Sequence, residues 1–448
     1  MPDRITNNDR QKKEISWQVA VRALRHRNYR LFFGGQGISL IGTWMTRVAT
    51  SWLVYRLTGS AFLLGLVSFA SQIPILLLGP LSGVWVDRLN RHRVLVVTQI
   101  LSMLESFALA ALALSGVITV AEIIVLNLFQ GAVNAFDMPA RQAFVIEMVE
   151  EPQDLGNAIA LNSSLVNAAR LIGPSVAGLL IAAVGEGYCF LADGISYLAV
   201  IASLLAMSVA TRRRERKHDG VLAELREGWD YVRGFRPIRS ILLLLALISV
   251  VGMPYTALMP IFAGRILHGG AHTLGFLMAA VGVGALAGAV VLAARNTVLG
   301  LGRVIAMTAA GFGASLFFFA ASRQLWLSLS LLVVTGFCFM QQMASSNTVL
   351  QTIVDEQKRG RVMSFYAMAF QGTAPFGSLI AGAAASRIGA SYTLMIGGAV
   401  CVCGAIVFAM ELPALRRLVR PIYARIGILP EIATGIQAAT ALQQPPED

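Results

Sequence analysis

A chain of 448 residues with 56% hydrophobic and only 13% charged residues is far from soluble proteins, where about a quarter of residues carry charge. Its net charge of +12 does not point to nucleic acid, because the cations gather at the ends of apolar runs rather than over one soluble face. The four cysteines (Cys189, Cys338, Cys401, Cys403) lie inside apolar stretches without zinc or redox spacing, so they read as small core residues.

In chain order, residues 1–30 form a basic segment without a cleavable signal, since the first apolar run is too long for a signal core. Twelve apolar runs of about 20 residues or more follow, each long enough to cross a bilayer: 31–56, 61–86, 93–115, 119–147, 154–184, 186–208, 238–265, 273–295, 302–321, 326–352, 360–386 and 390–411. This predicts an all-α polytopic membrane protein. Residues 209–237 are the one long interruption. They open with Arg212, Arg213, Arg214, Arg216 and Lys217, and continue with Val221, Leu222, Leu225, Trp229, Val232 and Phe235 at helical spacing. That is a linker followed by an amphipathic helix on the membrane surface. It divides the chain into bundles at 31–208 and 238–411, with a tail at 412–448 that ends disordered. Lys and Arg concentrate in alternate connections, which places both termini in the cytoplasm of a bacterial-type inner membrane. The acidic turn of Glu147, Glu150, Glu151 and Asp154 does not overturn this, since acidic residues count little in that rule.

Residues 79–94 read GPLSGVWVDRLNRHRV, an apolar run that ends in Asp87 and passes at once into Arg88, Arg91, His92 and Arg93. The spacing Gly83-x-x-x-Asp87-Arg88-x-Asn90-Arg91 resembles the signature loop of the major facilitator superfamily, between its second and third spans. Asn90 stands where glycine is usual, and asparagine is among the residues that tolerate a left-handed backbone. Residues 138–185 can be laid over 343–389 with a one-residue slip, which sets Gly173 on Gly377, Gly178 on Gly382 and Gly185 on Gly389. Two parallel six-span repeats are that superfamily's architecture. The motifs around 27–32, 137–143 and 157–163 further resemble its bacterial branch that includes the enterobactin exporter and macrolide-efflux proteins, the transmembrane secretion effector type.

Polar side chains inside the spans are the candidate machinery. Span 4 carries Asn127, Gln130, Asn134, Asp137 and Arg141 on one helical face, where contact with hydrocarbon is costly. Span 1 carries Gln36, Ser39, Thr43 and Arg47, span 5 carries Ser163, Asn167 and Arg170, and span 10 carries Gln341, Ser345, Thr348 and Thr352. The alternative for such stripes is hydrogen bonding to neighbouring helices. The resemblance implies that spans 1, 4, 7 and 10 enclose a cavity. It further implies that Asp87, Arg88, Arg91, Asp137 and Arg141, with Gly83, are gate elements acting against span 11. Gly173, Pro174 and Gly178 resemble the span-5 Gly-Pro motif of proton-coupled antiporters. A proton carrier needs a carboxyl inside the membrane; Glu105 is the leading candidate, with Asp193 behind it.

No phosphate-cradling G-x-x-x-x-G-K-[ST], metal-ligand cluster or nucleophile elbow occurs, so neither enzyme chemistry nor ATP drive is expected, nor any cofactor. The resulting expectation is a monomeric secondary transporter whose partners are a small-molecule substrate, protons and the lipid bilayer. Its task would be proton-coupled efflux of an amphipathic drug, macrolide or siderophore by alternating access. A lipid-handling or uptake protein of the same fold is the alternative, and a non-transporting receptor or scaffold is the alternative of another class.

Overall fold

The computed structural model describes residues 22–149, 151–208, 221–295 and 297–425. Twelve membrane-length helices and one short helix make up the fold, with no strand among the described residues. In the first half these are α1 (Arg27–Thr58), α2 (Ala61–Arg88), α3 (Arg91–Leu114), α4 (Val120–Met148), α5 (Leu155–Val184) and α6 (Glu186–Leu205). Then comes α7 (Val221–Gly234). The second half has α8 (Arg236–Ile266), α9 (Ala271–Ala293), α10 (Leu301–Ala321), α11 (Leu325–Ile353), α12 (359–388) and α13 (Ala390–Arg425).

Ten of these are long and apolar enough to cross a membrane by length and composition. The two others depart for local reasons. Gln36, Thr43 and Arg47 dilute the hydropathy of α1, and a π-turn at Met368–Gly372 interrupts α12. A second pair of π-turns, Ile248–Gly252 and Phe262–Ile266, flanks the Pro254–Pro260 stretch of α8. π-turns leave carbonyls misaligned, and in a membrane each must find a partner. Here Ser249 Oγ of the loosened turn in α8 donates to the Phe370 carbonyl in the loosened turn of α12 at 2.5 Å and satisfies it.

Chain alternation puts the starts of α1, α3 and α5 at one end of the bundle, called the terminal end below, and the α1–α2, α5–α6 and α12–α13 turns at the other, the far end. At the terminal end Asn90 does not use a left-handed backbone: its φ is −71°, and its side chain accepts from the Arg93 N–H at 3.1 Å to cap α3. Asparagine stands there as an N-cap, satisfying a donor the helix start leaves over.

Glycines set how the halves meet. A Cβ on Gly65 of α2 would stand 2.5 Å from the Ser378 carbonyl and 3.0 Å from Gly382 Cα on α12. A Cβ on Gly178 of α5 would stand 2.9 Å from the Ala271 carbonyl and 3.0 Å from Gly275 Cα on α9. Small residues let membrane helices approach backbone to backbone, which supplies packing where the hydrophobic effect supplies little. The two crossings occupy matching places in the repeats, Gly178 on Gly382, and Gly185 and Gly389 both end their helices with positive φ (96° and 89°). Phe69 and Phe376 (ring centroids 5.9 Å apart) extend one crossing inward. All of these contacts lie in the far half of the molecule.

The linker helix α7 packs on α12. Glu227 pairs with Arg361 at 2.5 Å, Trp229 lies 6.0 Å from the Phe365 ring, and Lys358 sits 4.5 Å over the Tyr231 ring. Residues 209–220, with the Arg212–Lys217 cations, lie outside the described residues, as does the end of the tail. The tail's first part is helical, since α13 runs unbroken past Leu412 to Arg425.

Candidate functional site

The polar residues of the spans fall into three groups. The first lies between α3 and α4 toward the terminal end. Asp137, 2% exposed, accepts hydrogen bonds from Thr98 Oγ1 (2.9 Å) and Gln99 Nε2 (2.8 Å) of α3, and pairs with Arg141 one turn along its own helix. Gln130 Nε2 donates to Ser102 Oγ at 3.0 Å and lies 3.4 Å from Asn134 Oδ1. Arg91 closes the row on Glu147 at 2.7 Å. All these partners belong to the first half. Of the remaining gate candidates, Arg88 is exposed, and a Cβ at Gly83 would meet open space. The Asp87 side chain lies outside what the structure describes.

The second group joins α1, α3 and α6. Asp193 accepts from Thr46 Oγ1 at 2.8 Å and from Ser106 Oγ at 3.0 Å, while Ser106 Oγ lies 3.5 Å from Glu105 Oε2. Both carboxyls are buried, 4% exposed for Glu105 and 1% for Asp193. Gly42 admits the cluster, because a Cβ there would sit 2.5 Å from Asp193 Oδ1. Two carboxyls thus flank one serine hydroxyl, which has a single proton to donate. Among the described residues neither carboxyl has a cationic partner. Sequence reading weighed these two residues separately. Their spans are distant in the chain, and Thr46 and Ser106, which connect them, carry no signal of their own.

The third group is on α1 and α5 at the centre. Arg47 Cζ lies 4.8 Å from the centroid of the Trp44 ring and Arg170 Cζ lies 5.2 Å from the same ring. Arg47 is exposed although it sits deep within the bundle, which is the condition of a side chain on an internal wall. Tyr255 of α8, 1% exposed, faces Arg170 from the second half. Gly173 makes the arrangement possible, since a Cβ there would lie 2.5 Å from Trp44 Cβ and 3.0 Å from the Ile41 carbonyl. Trp44 was missed in the sequence. Its three-residue spacing from Arg47, which places both on one helical face, was the available signal.

The other stripe residues make helix contacts. Thr43 Oγ1 donates to the Ser39 carbonyl (3.1 Å), Asn167 Nδ2 to the Ser163 carbonyl (2.9 Å), and Gln341 Nε2 to the Gly288 carbonyl of α9 (3.1 Å). Gln36 is buried, and Ser345 Oγ and Gln342 Oε1 are buried without a partner among the described residues. At the far end a cleft of about 560 Å³ remains between the halves, lined by residues that include Ser60, Arg265, Arg323, Ser386 and Tyr392. No metal-binding group of His, Cys, Asp or Glu occurs among the described residues.

Residues 19–420 match the family described as transmembrane secretion effector. The chain is 27% identical to the staphyloferrin A transporter of Staphylococcus aureus over 388 residues, covering 85% of this chain and 95% of that one. It is 28% identical to the multidrug efflux pump Tap of Mycolicibacterium fortuitum, covering 84% and 93%. Its fold is similar to that of a bacterial homologue of the human lysosomal transporter Spinster, captured inward-facing and occupied. The TM-score is 0.66 at 13% identity, covering 87% of this chain and 97% of that chain.

Proposed function

This chain belongs to the transmembrane secretion effector family of the major facilitator superfamily, and from that premise we propose that it exports an amphipathic small molecule in exchange for protons. It is a multi-pass membrane transporter and not an enzyme. The observation that carries the export cycle is the contrast between its two ends. Glycine crossings seal the far half, while Arg47 stays exposed deep inside. That is one state of an alternating-access cycle, in which two six-helix halves rock about a central site. The terminal end carries Arg88, Arg91, Arg93, Arg295 and Arg303, which supports a cytoplasmic placement of that end and of both termini. The site therefore opens inward in this state. Each chain holds a whole pathway between its own halves, which favours a monomer. The efflux direction rests on the similarity to the multidrug efflux pump Tap.

Proton coupling is assigned to the Glu105–Ser106–Asp193 cluster. One hydroxyl cannot donate to two carboxylates at once, so the cluster has room for a further proton between α3 and α6. Thr46 ties that cluster to α1, one residue from Arg47, so a proton change there is felt at the central site. The residues between α3 and α4 then hold the gate helix in register, with Asp137 at their centre.

Proteoliposomes with an imposed pH gradient test this reading. Native protein should concentrate substrate against its gradient and stop when a protonophore is added, each proton contributing about 2.3 kcal/mol per 100 mV of membrane potential. Glu105→Gln should abolish uphill transport and retain exchange of substrate down its own gradient. Protonophore-insensitive export, or full uphill transport by Glu105→Gln, would refute the coupling assignment.

A further inference from the structure

The chemistry of the cargo is open in the reading above, and the central site narrows it. Two guanidinium groups from different helices share one indole, at 4.8 and 5.2 Å from its ring centroid. Among the described residues neither Arg47 nor Arg170 forms an ion pair. Of the carboxyls inside the first half, Asp193 is held by Thr46, Ser106 and Ser196 and Asp137 by Arg141, and among the described residues no ion pair joins these or Glu105 to either arginine. Arg170 and Tyr197 act electrostatically on Arg47, and Tyr255 acts on Arg170. None of these supplies a carboxylate. Arg170 Nε is buried with no hydrogen-bond partner.

An arginine cannot shed its charge as a lysine can, and a desolvated guanidinium without a counter-charge is costly. Stacking on Trp44 offsets part of that cost and leaves most of the N–H donors unspent. The pair is also not a by-product of the repeat. With Gly173 set on Gly377, the position matching Arg170 in α12 is Ala374, so the second half brings no cation there. Gly173, by admitting Trp44, and the exposure of Arg47 then give a ring wall with two positive forks facing an internal space.

We propose that Arg47 and Arg170 bind a carboxylate of the transported molecule while Trp44 lies against its flat apolar part, so that the cargo is an organic anion and not a lipophilic cation. A guanidinium matches a carboxylate with two parallel N–H···O bonds, which an ammonium or an amide cannot reproduce. This inference rests on the export reading for the word cargo, but the site itself does not.

Three probes that share a ring system and differ in charge test it on the purified full-length protein in detergent: 1-naphthoate, 1-naphthylmethylammonium and the neutral 1-naphthylmethanol. Naphthoate should bind at least about tenfold more tightly than the ammonium. Arg47→Gln and Arg170→Gln should each weaken naphthoate about tenfold or more, and leave naphthylmethanol within about twofold, which shows the variants are folded. Arg47→Lys should recover part of the loss, because it restores the charge without the fork. The proposal is overturned if the ammonium binds as tightly as naphthoate. It is overturned equally if the glutamine variants hold naphthoate like the native protein, or if native protein binds none of the three. Naphthoate that binds in this arginine-dependent way but never crosses proteoliposomes would sink the export reading and leave the anion site standing.

Discussion

Asp137 and Glu105 are both carboxyls inside apolar helices, and their neighbours give them different work. Asp137 is saturated: two neutral donors from α3 and the Arg141 guanidinium occupy its oxygens. Asp137→Asn should therefore act first on stability. Removing one member of a buried ion pair costs roughly 3–5 kcal/mol, and the part-exposure of Arg141 places this case toward the lower end. Thermal unfolding in detergent should show a clear drop in midpoint, with transport lost in proportion; an unchanged midpoint would leave Asp137 a purely dynamic role. Glu105 has no such set of partners, so Glu105→Gln should leave the midpoint nearly unchanged while altering coupling. The stripe on α4 was legible as a pattern with period 3.6, but its direction was not. Hydrogen bonds to Thr98, Gln99 and Ser102 turn it toward α3, and those partners are ordinary polar residues until the helices are set side by side.

Two short elements at the terminal end hold larger ones. The 3-10 turn Arg22–Arg25 straps the chain onto the connection between α4 and α5. Asp154 lies beneath it, pairing with Arg22, with Arg25 at 2.8 Å and with His26 Nε2 at 2.9 Å. Asn157 accepts from the Ala23 N–H at 2.9 Å, and Tyr29 Oη donates to the Ala158 carbonyl at 2.8 Å. Burial alone would push the Asp154 carboxyl up, but the His26 hydrogen bond and the charges of Arg22 and Arg25 hold it below the ordinary carboxylate range. A depressed carboxyl stabilises the strap above its unfolded pKa of about 3.9 and gives that up only as pH falls through the lower folded value. Because the lowered Asp154 carboxyl stays ionised at about pH 6 and at about pH 8, it should hold the strap against trypsin at Arg22 and Arg25 at either pH. Asp154→Asn should be cut faster at both. Cleavage of that variant at the native rate would show that Asp154 does not secure the strap. The helix α7 does comparable work on α12: its apolar face, legible from spacing, meets Phe365 through Trp229. Amphipathic spacing specifies that a face will be covered, not by what.

At the scale of the whole molecule, the two glycine crossings bring the halves together in the far half. Gly65→Leu would drive a side chain into the Ser378 carbonyl, a backbone atom that cannot move aside alone. The variant should pry α2 from α12 at a cost of about 1–3 kcal/mol and shift the protein toward states open at the far end. In a background free of native cysteines, Ser386→Cys in the cleft wall should then react several-fold faster with a membrane-impermeant maleimide. An unaltered rate would mean the crossing does not seal that end. The sequence by itself determined the helix count, the two-repeat plan and the class of protein. Apolar length, loop charge and a short signature are properties of contiguous residues, and a bilayer imposes them directly. Only the tertiary structure decided that Glu105 and Asp193 share Ser106, that Arg170 joins Arg47 on Trp44, and that the halves cross at glycines in the far half. Each of these depends on which faces of distant helices meet, and that is set by glycine-scale differences in packing summed over the whole bundle.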